Sequence, residues 1–409
     1  MMLTLTPVPD DMFAPDVIAD PYAYYGRLRD TDPIHWNETY ALWVVTRYDD
    51  LVWLTRHHEL FSSAVFRNDP RPAYPAIDES DLGLYEYVKN YQGNQFIQHD
   101  RPEHLEMRRV MHSYFTPRSM EAWRPFVRDA VKELLDAAEE KGEMDVMRDL
   151  ATPLPVMVIA QMMGVPASER PYVRELAEKL LYIGRGEYDR MKPHTEGMRG
   201  MIDYVSPMVD ERMANPGDDF ISVLARGEKQ GVFTRHQVLV NTSLLLLAGH
   251  ETTINLLCNG TLAFTRHPDQ WALFKQDPVG RAKQATEECL RYDSPVISIQ
   301  RIASQDVEMR DKVIHKADRI RWFISSANRD PDAFPGPETF DINRHPNQHV
   351  AFGSGTHHCL GATLARVEGQ EVFKALAERF PNLRAETEGL EYQPSITFRS
   401  LKSLPVTWH

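Results

Sequence analysis

Apolar residues recur at helical spacing through most of the middle and the end of the chain. Side chains repeating every three or four positions indicate helices, and they do so here over 117–140, 150–164, 168–185, 196–213, 236–265, 269–292 and 358–380. Short runs with turn residues on either side indicate strands; they lie at 41–46, 312–314, 320–324 and 403–408. The pattern predicts a large helical body beside a small sheet, a fold that is mainly α with a smaller β region.

The stretch 325–360 shows neither period and is rich in Pro, Gly, Asn and Asp, yet it carries Phe334, Phe340 and Phe352. An ordered coil of this length usually has a functional reason. The 409 residues exceed the roughly 250–300 at which single cores stop growing, so two domains or one large unit are both open on length alone. Because no internal repeat or clear linker divides the sequence, we expect one folded unit over 1–409.

Composition and charge narrow the classes of partner. Apolar residues make up 42% and charged residues 26%, which is ordinary for a globular protein. The formal net charge is −13, and no basic block suggests a nucleic-acid surface. The N-terminus lacks the pattern of a secretory signal, and no run of about 18 apolar residues suggests a membrane span. We therefore expect a cytoplasmic protein that binds neither nucleic acid nor membrane.

The chain has three cysteines, Cys258, Cys289 and Cys359. An odd number in a long chain without an export signal makes a disulfide framework improbable. Three scattered thiols also cannot supply the four thiolates of an iron–sulfur cluster. Each cysteine is therefore interpreted separately.

Cys359 lies near the end of the segment Phe-Gly-Ser-Gly-Thr-His-His-Cys-Leu-Gly, residues 352–361. Glycines such as Gly353 allow backbone conformations and close approaches that a Cβ would forbid. We expect Cys359 at the N-terminal end of the following helix, where the helix dipole lowers the pKa of a thiol. A buried structural cysteine is the ordinary alternative. A dinucleotide motif fails because His358 stands where a third glycine is needed, and a zinc site lacks a second ligand pair.

The pattern Phe-Gly-x-Gly-x-His-x-Cys-x-Gly resembles the cysteine-ligand signature of the cytochrome P450 family. The resemblance implies a single triangular haem domain in which Cys359 ligates the iron of haem b, with Phe352 and Gly353 beside it. A thiolate ligand pushes electron density onto iron and favours cleavage of the O–O bond. Further matches run in the family's order from about residue 97 to 366, so the resemblance covers essentially the whole chain.

Ala248, Gly249, Glu251 and Thr252 lie in a strongly apolar helical segment, 244–253. The small residues leave room at the backbone, and the Thr252 hydroxyl can return to the carbonyl of Ala248 and loosen the helix locally. An ordinary core helix would show the same bond. A zinc-protease motif is excluded because Ile254 stands where the second histidine belongs. The segment resembles the family's oxygen-binding helix, which implies that Glu251 and Thr252 form the acid–alcohol pair that delivers protons to dioxygen.

Two further sets of residues follow from the resemblance. Glu288 and Arg291 have the spacing of a surface ion pair, which alone would add little to stability. They resemble a buried ion pair of the family, and Arg344 resembles its third member. The resemblance implies that the three residues serve folding and the seating of the haem. Haem carries two propionates, and buried carboxylates need cationic or hydrogen-bonding partners. The positions that resemble the family's propionate contacts are His104, Arg108, Arg301 and His357.

The implied reaction inserts one atom of dioxygen into a small organic substrate and reduces the other atom to water. Proposed pocket residues are mainly apolar, which predicts a hydrophobic or aromatic substrate for hydroxylation or oxidative dealkylation; they are Phe96, Ile97, Leu245, Ala248, Val296, Ile297 and Phe398. A peroxide-driven peroxygenase and a non-catalytic haem sensor are the alternatives. The former would not need Glu251 and Thr252, and the latter would be expected to carry an effector module.

Electrons are expected from a ferredoxin- or flavodoxin-type donor or from a reductase module in a longer fusion. Because substrate and dioxygen occupy the other side, the donor should approach from the side of Cys359. Segments expected to frame that face carry Arg109, Arg118 and Arg366. Acidic donors would be steered there by complementary charge, although each arginine alone could be an ordinary solvated residue.

Overall fold

The computed structural model of the chain describes residues 10–69, 82–180 and 191–408. The helices are α1 Pro15–Ala19, α2 Tyr22–Thr31, α3 Tyr48–Arg56, α4 Val65–Asn68, α5 Leu82–Gly93, α6 Glu103–His112, α7 Pro117–Glu121, α8 Arg124–Glu139, α9 Pro153–Met162, α10 Arg170–Leu180, α11 Met191–Ala214, α12 Phe220–Lys229, α13 Arg235–Arg266, α14 Pro268–Gln276, α15 Pro278–Tyr292, α16 Ile324–Ala327 and α17 Ala362–Arg379. The strands are β1 Ile34–Asn37, β2 Leu42–Val45, β3 Phe61–Ser62, β4 Glu143–Asp145, β5 Ser298–Ala303, β6 Val307–Met309, β7 Lys312–Ile314, β8 Arg319–Phe323, β9 Arg384–Ala385 and β10 Pro405–Thr407. The prediction of a mainly helical protein with a smaller β region is confirmed.

Two long predicted helices are divided in the structure. The range 269–292 forms α14 and α15, because the Asp277 side chain accepts the N–H of Gly280 at 2.8 Å and Pro278 occupies the first turn of α15. A proline is tolerated in a first turn but not in a helix interior. The range 117–140 divides in the same way, with Pro117 starting α7 and Pro125 near the start of α8. The end of the predicted helix 168–185 lies outside the described residues.

The main sheet joins the two ends of the chain. Within the described residues its strand order is β1-β2-β8-β5-β3, and β2 pairs parallel to β8 with Leu42 opposite Arg319, whereas the other pairs are antiparallel. A second sheet pairs β10 with β4 and β9. The sheets therefore lie beside the helical body, as the sequence pattern indicates.

Helix α13 runs through the centre of the helical body. Its 32 residues correspond to a length of about 48 Å, and it packs on α9, α11, α15 and α17. Thr234 and Gln237 cap its start reciprocally. The Thr234 N–H donates to Gln237 Oε1 at 2.8 Å, and the Gln237 N–H donates to Thr234 Oγ1 at 3.2 Å. None of the described helices has both the length and the apolar composition that crossing a membrane requires.

Candidate active site

The loop before α17 depends on two glycines with left-handed backbone conformations. Gly353 has a φ of 70° and Gly355 a φ of 69°, values that residues with a Cβ rarely adopt. A Cβ at Gly355 would also lie 2.5 Å from the backbone oxygen of Thr55. The N–H of Cys359 donates to the carbonyl of Phe352 at 2.8 Å. The loop thereby fixes the position of Cys359.

Cys359 stands before the helix and not in its first turn. Helix α17 begins at Ala362 with Gly361 as its cap. The accessible surface of Cys359 opens onto an internal cavity. Burial raises the pKa of the thiol, and the backbone N–H of Gly361 and the charges of Arg108 and Arg366 lower it without offsetting burial. Desolvation therefore dominates the pKa of the free thiol, while the Gly361 N–H at the helix start contributes a lowering in the direction expected from the sequence.

Helix α13 presents Ala248, Gly249 and Thr252 to the same cavity. The Thr252 hydroxyl donates to the carbonyl of Ala248 at 2.9 Å, the geometry expected from the sequence. Gly249 has an additional reason to lack a side chain, since a Cβ there would lie 2.3 Å from Cδ1 of Ile159. The small residue therefore lets α9 pack closely on α13 where both line the cavity.

Glu251 adjoins Thr252 in sequence but is not among the residues that line this cavity. Its Oε1 accepts a hydrogen bond from Ser400 Oγ at 2.5 Å and one from Asn255 Nδ2 at 3.4 Å. Ser400 lies 149 residues away along the chain, so no local pattern could have identified it. The expected acid and alcohol are adjacent, and their side chains have different partners.

Four predicted anion-binding residues gather at one edge of the cavity. His357 and Arg108 line the cavity, and the rings of His104 and His357 stack with centroids 3.8 Å apart. Arg108 donates to the carbonyl of His358 at 2.6 Å. Arg301 does not line the cavity; it lies over the ring of Trp322 at 4.8 Å. His104 is likewise behind the first layer of lining residues.

The electrostatics of this group favour an anionic ligand. Burial lowers the pKa of His104 to about 4 and that of His357 to about 2, and the positive charges of Arg108 and Arg301 lower both further. Burial also lowers the pKa of Arg301 to about 10. Both ring nitrogens of His104 are buried, and neither has a hydrogen-bond partner among the described residues. Buried cations and unpartnered donors of this kind suit a ligand with carboxylate groups.

Glu288, Arg291 and Arg344 meet below the helical body. Arg291 donates to both carboxylate oxygens of Glu288 at 2.8 Å, and neither side chain is exposed. Arg344 approaches the same carboxylate at 3.2 Å. The guanidinium of Arg291 also donates to the carbonyls of Asn328, Pro337 and Thr339. The group ties α15 to the coil at 328–344 that leads towards the cysteine loop.

The cavity itself has a volume of about 280 Å³ and a mainly apolar wall. The sequence-predicted residues that line it are Phe96, Ile97, Leu245, Ala248, Val296, Phe352 and Gly353. Met111, Phe115, Leu244 and Ile299 line it as well, and the sequence analysis missed them. Apolar residues at helical spacing are usual in any core, so nothing in their pattern distinguishes a cavity wall.

Ile297 and Phe398 do not line this cavity, and their assignment to its wall is wrong. Both border a separate cavity of about 10 Å³. Successive side chains in an extended segment point to opposite faces, so Val296 faces the large cavity while Ile297 packs into a cluster with Tyr25 and Phe323. Phe398 is bridged to Val296 through the backbone.

Glu368 is a lining residue that the sequence analysis overlooked. It lies on α17 among apolar neighbours, and burial raises the pKa of its carboxyl group to about 8. Within the part of the chain that the structure describes, its Oε2 has no hydrogen-bond partner. A lone acid on the apolar face of a predicted helix is the sequence signal that could have identified it.

Comparison with known proteins gives one consistent result. Residues 282–397 match the family model described as Cytochrome P450. The chain is 36% identical over 407 residues to Cytochrome P450 CYP107DY1 of Priestia megaterium, covering 97% of this chain and 98% of that protein. It is 34% identical to Cytochrome P450 monooxygenase PikC of Streptomyces venezuelae, covering 96% of this chain and 92% of that protein.

A solved structure shares the fold over nearly the full length. P450BioI, in complex with an acyl carrier protein ligated to hexadec-9Z-enoic acid, superposes with a TM-score of 0.87 at 31% identity. The match covers 97% of this chain and 99% of that one.

Proposed function

The chain belongs to the cytochrome P450 family and is a haem b-binding monooxygenase, and on that premise we propose that it oxidises a hydrophobic or aromatic small molecule at the cavity bounded by Cys359 and Thr252. The single observation that carries this proposal is that one mainly apolar cavity joins the cysteine, the threonine and the histidine–arginine edge. A structural cysteine would need no such cavity.

The described residues fit haem b. Cys359 would supply the axial sulfur, since Cys258 and Cys289 are fully buried within α13 and α15. The unpartnered nitrogens of His104, together with Arg108, Arg301 and His357, would hold the two propionates. Haem ligated by a thiolate supplies the activation of dioxygen and the oxidising power of the reaction.

The protein's own contribution is to bind, orient and supply protons. The apolar wall excludes water and favours a substrate without charge, because an unpaired charge would be desolvated there. Thr252 offers a hydroxyl at the cavity surface whose hydrogen bond to Ala248 fixes the position of its oxygen. Glu251 is the nearest acid in sequence, and we assign it the role of proton donor to that hydroxyl.

We place the electron donor on the cysteine side. Arg109 and Arg118 are exposed, whereas Arg366 is bound to Glu287 at 2.7 and 2.9 Å and lies over the ring of Phe352 at 4.4 Å. Arg366 is therefore partly neutralised, and Arg109 and Arg118 carry the positive charge that an acidic ferredoxin- or flavodoxin-type donor would meet. A reductase fused in a longer chain would serve the same role.

The test uses the purified holoprotein and a library of hydrophobic and aromatic compounds. Substrates are identified by a shift of the Soret band, and the library includes acyl chains both free and on a carrier protein, because P450BioI is known in such a complex. A bound compound is then turned over with a reduced ferredoxin and isotopically labelled dioxygen. One labelled oxygen atom in the product supports the proposal. Product formed only when peroxide is supplied would instead identify a peroxygenase, and binding without any product would favour a sensor.

A further inference from the structure

The carboxylate of Glu251 is bound to the C-terminal segment of the chain and not to the cavity. Ser400 Oγ donates to its Oε1 at 2.5 Å, and Asn255 Nδ2 approaches the same oxygen at 3.4 Å. Thr252 lines the cavity, whereas Glu251 does not. The described contacts therefore direct Oε1 of this acid to Ser400, and the side chain has to turn to reach the cavity.

A small cavity borders Ser400, and its wall combines apolar and polar side chains. Its volume is about 10 Å³, close to the roughly 10–15 Å³ that one water molecule needs. Its wall includes Ser400, Ser395, Tyr392 and Gln393, and Gln393 is exposed at the protein surface. The cavity thus has the size and the hydrogen-bonding groups for a water between the surface and Ser400.

Ser400 is held firmly at this position. It is 3% exposed, and its backbone carbonyl accepts the N–H of Gln393 at 2.8 Å. The neighbouring Arg399 donates to the carbonyls of Ile18 and Ala19, and its own carbonyl accepts Asn259 Nδ2 at 3.0 Å. The backbone is therefore fixed from both sides, and only the hydroxyl is free to rotate.

We propose that Ser400 is a positioning residue that connects Glu251 to the small cavity and relays protons to its carboxylate. A hydroxyl can donate and accept at once. Ser400 Oγ passes its proton to Glu251 Oε1 and takes one from a water molecule in the small cavity, and bulk solvent beside the exposed Gln393 returns a proton to that water. The net change is one proton moved from solvent to Glu251, with the hydroxyl and the water restored. Glu251 then carries the proton to the Thr252 side of α13. The inference rests on the proposed role of Glu251 and Thr252.

The test compares Ser400→Ala, Ser400→Thr and the matched control Ser403→Ala in the holoprotein during turnover. Ser403 lies three residues further along the same segment, does not border the small cavity, and donates its hydroxyl to Asp145 at 2.7 Å and not to Glu251. The readouts are product formed per reductant consumed and the solvent deuterium isotope effect on turnover. Unchanged substrate-induced Soret shifts establish that each variant keeps haem and substrate binding.

Ser400→Ala should slow proton delivery about tenfold, a part of the roughly 10²–10⁴ that positioned proton transfer contributes. More reductant should then be lost to peroxide, and the solvent isotope effect should rise. Ser400→Thr keeps the hydroxyl and should behave as the wild type, as should Ser403→Ala.

Equal coupling and equal isotope effects in Ser400→Ala and the wild type would overturn the relay, as would the same defect in Ser403→Ala. Wild-type protein that forms no oxygenated product would instead contradict the proposed function, so the two failures are distinguishable.

Discussion

Arg291 and Glu288 lie three residues apart on α15 and meet in two hydrogen bonds of 2.8 Å, with neither side chain exposed to solvent. The same carboxylate also receives Arg344 at 3.2 Å and the backbone N–H of Asp341 at 2.9 Å. One buried carboxylate therefore binds two guanidinium groups and holds the coil that leads to the cysteine loop.

Glu288→Gln should destabilise the protein by about 3–5 kcal/mol, because removing one partner leaves an uncompensated buried charge. Urea unfolding measures the loss, and haem content after expression should fall with it. The control is Glu121→Gln, which removes a half-exposed partner of Arg124 and should change stability by about 0–1 kcal/mol. Similar effects of the two substitutions would remove Glu288 from the set of structural residues.

Thr252→Ala should retain haem and substrate binding but divert reductant to peroxide, since the hydroxyl at the cavity surface would no longer guide protons. The measurement is the ratio of product to reductant consumed, with peroxide assayed separately. Thr252→Ser keeps the hydroxyl and serves as the matched control. Thr253→Val tests the neighbouring cavity residue. If Thr252→Ala stays coupled and Thr253→Val does not, the proton route runs through Thr253.

Arg109→Glu should slow reduction by an acidic ferredoxin at low salt and leave substrate affinity unchanged. Added salt should narrow the difference, because charges are screened over about 8 Å at physiological ionic strength. Arg384→Glu, a reversal at an exposed arginine on β9 of the other sheet, controls for the change in net charge. Stopped-flow reduction rates that match the wild type for Arg109→Glu would place the donor elsewhere.

From the sequence alone, Arg366→Glu would test donor docking as well as Arg109→Glu does. In the structure it is the less suitable variant. Its guanidinium is already bound to Glu287 and stacks on Phe352 beside the cysteine loop. A reversal there would disturb the loop as well as the surface charge.

Glu287 should make stability depend on acid pH. Burial alone would raise the pKa of its carboxyl, but hydrogen bonds from His349 and Arg366 outweigh burial and lower it from 4.5 to about 2. A carboxyl group whose pKa is lower in the folded than in the unfolded protein stabilises the folded state at pH values above the unfolded-state pKa. This stabilisation is lost as the pH falls through the folded-state pKa. The contribution is about 3 kcal/mol above pH 4.5, and it should disappear between pH 4.5 and about 2. Glu287→Gln removes this titration, so the wild type should lose more stability on acidification. Parallel stability curves for the two proteins would contradict the assignment.

Much of the fold could be predicted from sequence because it follows from local patterns. Apolar periodicity located most of α13, and strand signals located β7 and β8 to within a residue at each end. Helix boundaries were less predictable. The apolar pattern continues through 269–292, but α14 ends before Asp277, because Asp277 caps α15 and Pro278 begins it. Helix α17 starts at Ala362, after a loop in which the Cys359 N–H donates to the carbonyl of Phe352, and periodicity does not record that contact.

The site was predictable where a motif is contiguous and unpredictable where partners are distant in sequence. Motifs placed Cys359 and Thr252 at one cavity. The bond between Ser400 and Glu251 joins positions 149 residues apart. In the extended segment before β5, Val296 faces the large cavity and Ile297 packs into the cluster with Tyr25 and Phe323. Such relations depend on tertiary packing and leave no local pattern.

The central claim is that Cys359 supplies the axial thiolate, and the most direct measurement is the Soret spectrum of the reduced, carbon-monoxide-bound holoprotein. We predict the red-shifted band of thiolate-ligated haem in the wild type and in Cys258→Ser and Cys289→Ser, whose cysteines are buried within helices. Cys359→Ser should lose that band. A Cys359→Ser protein that kept it, with its loss in Cys289→Ser, would contradict the assignment.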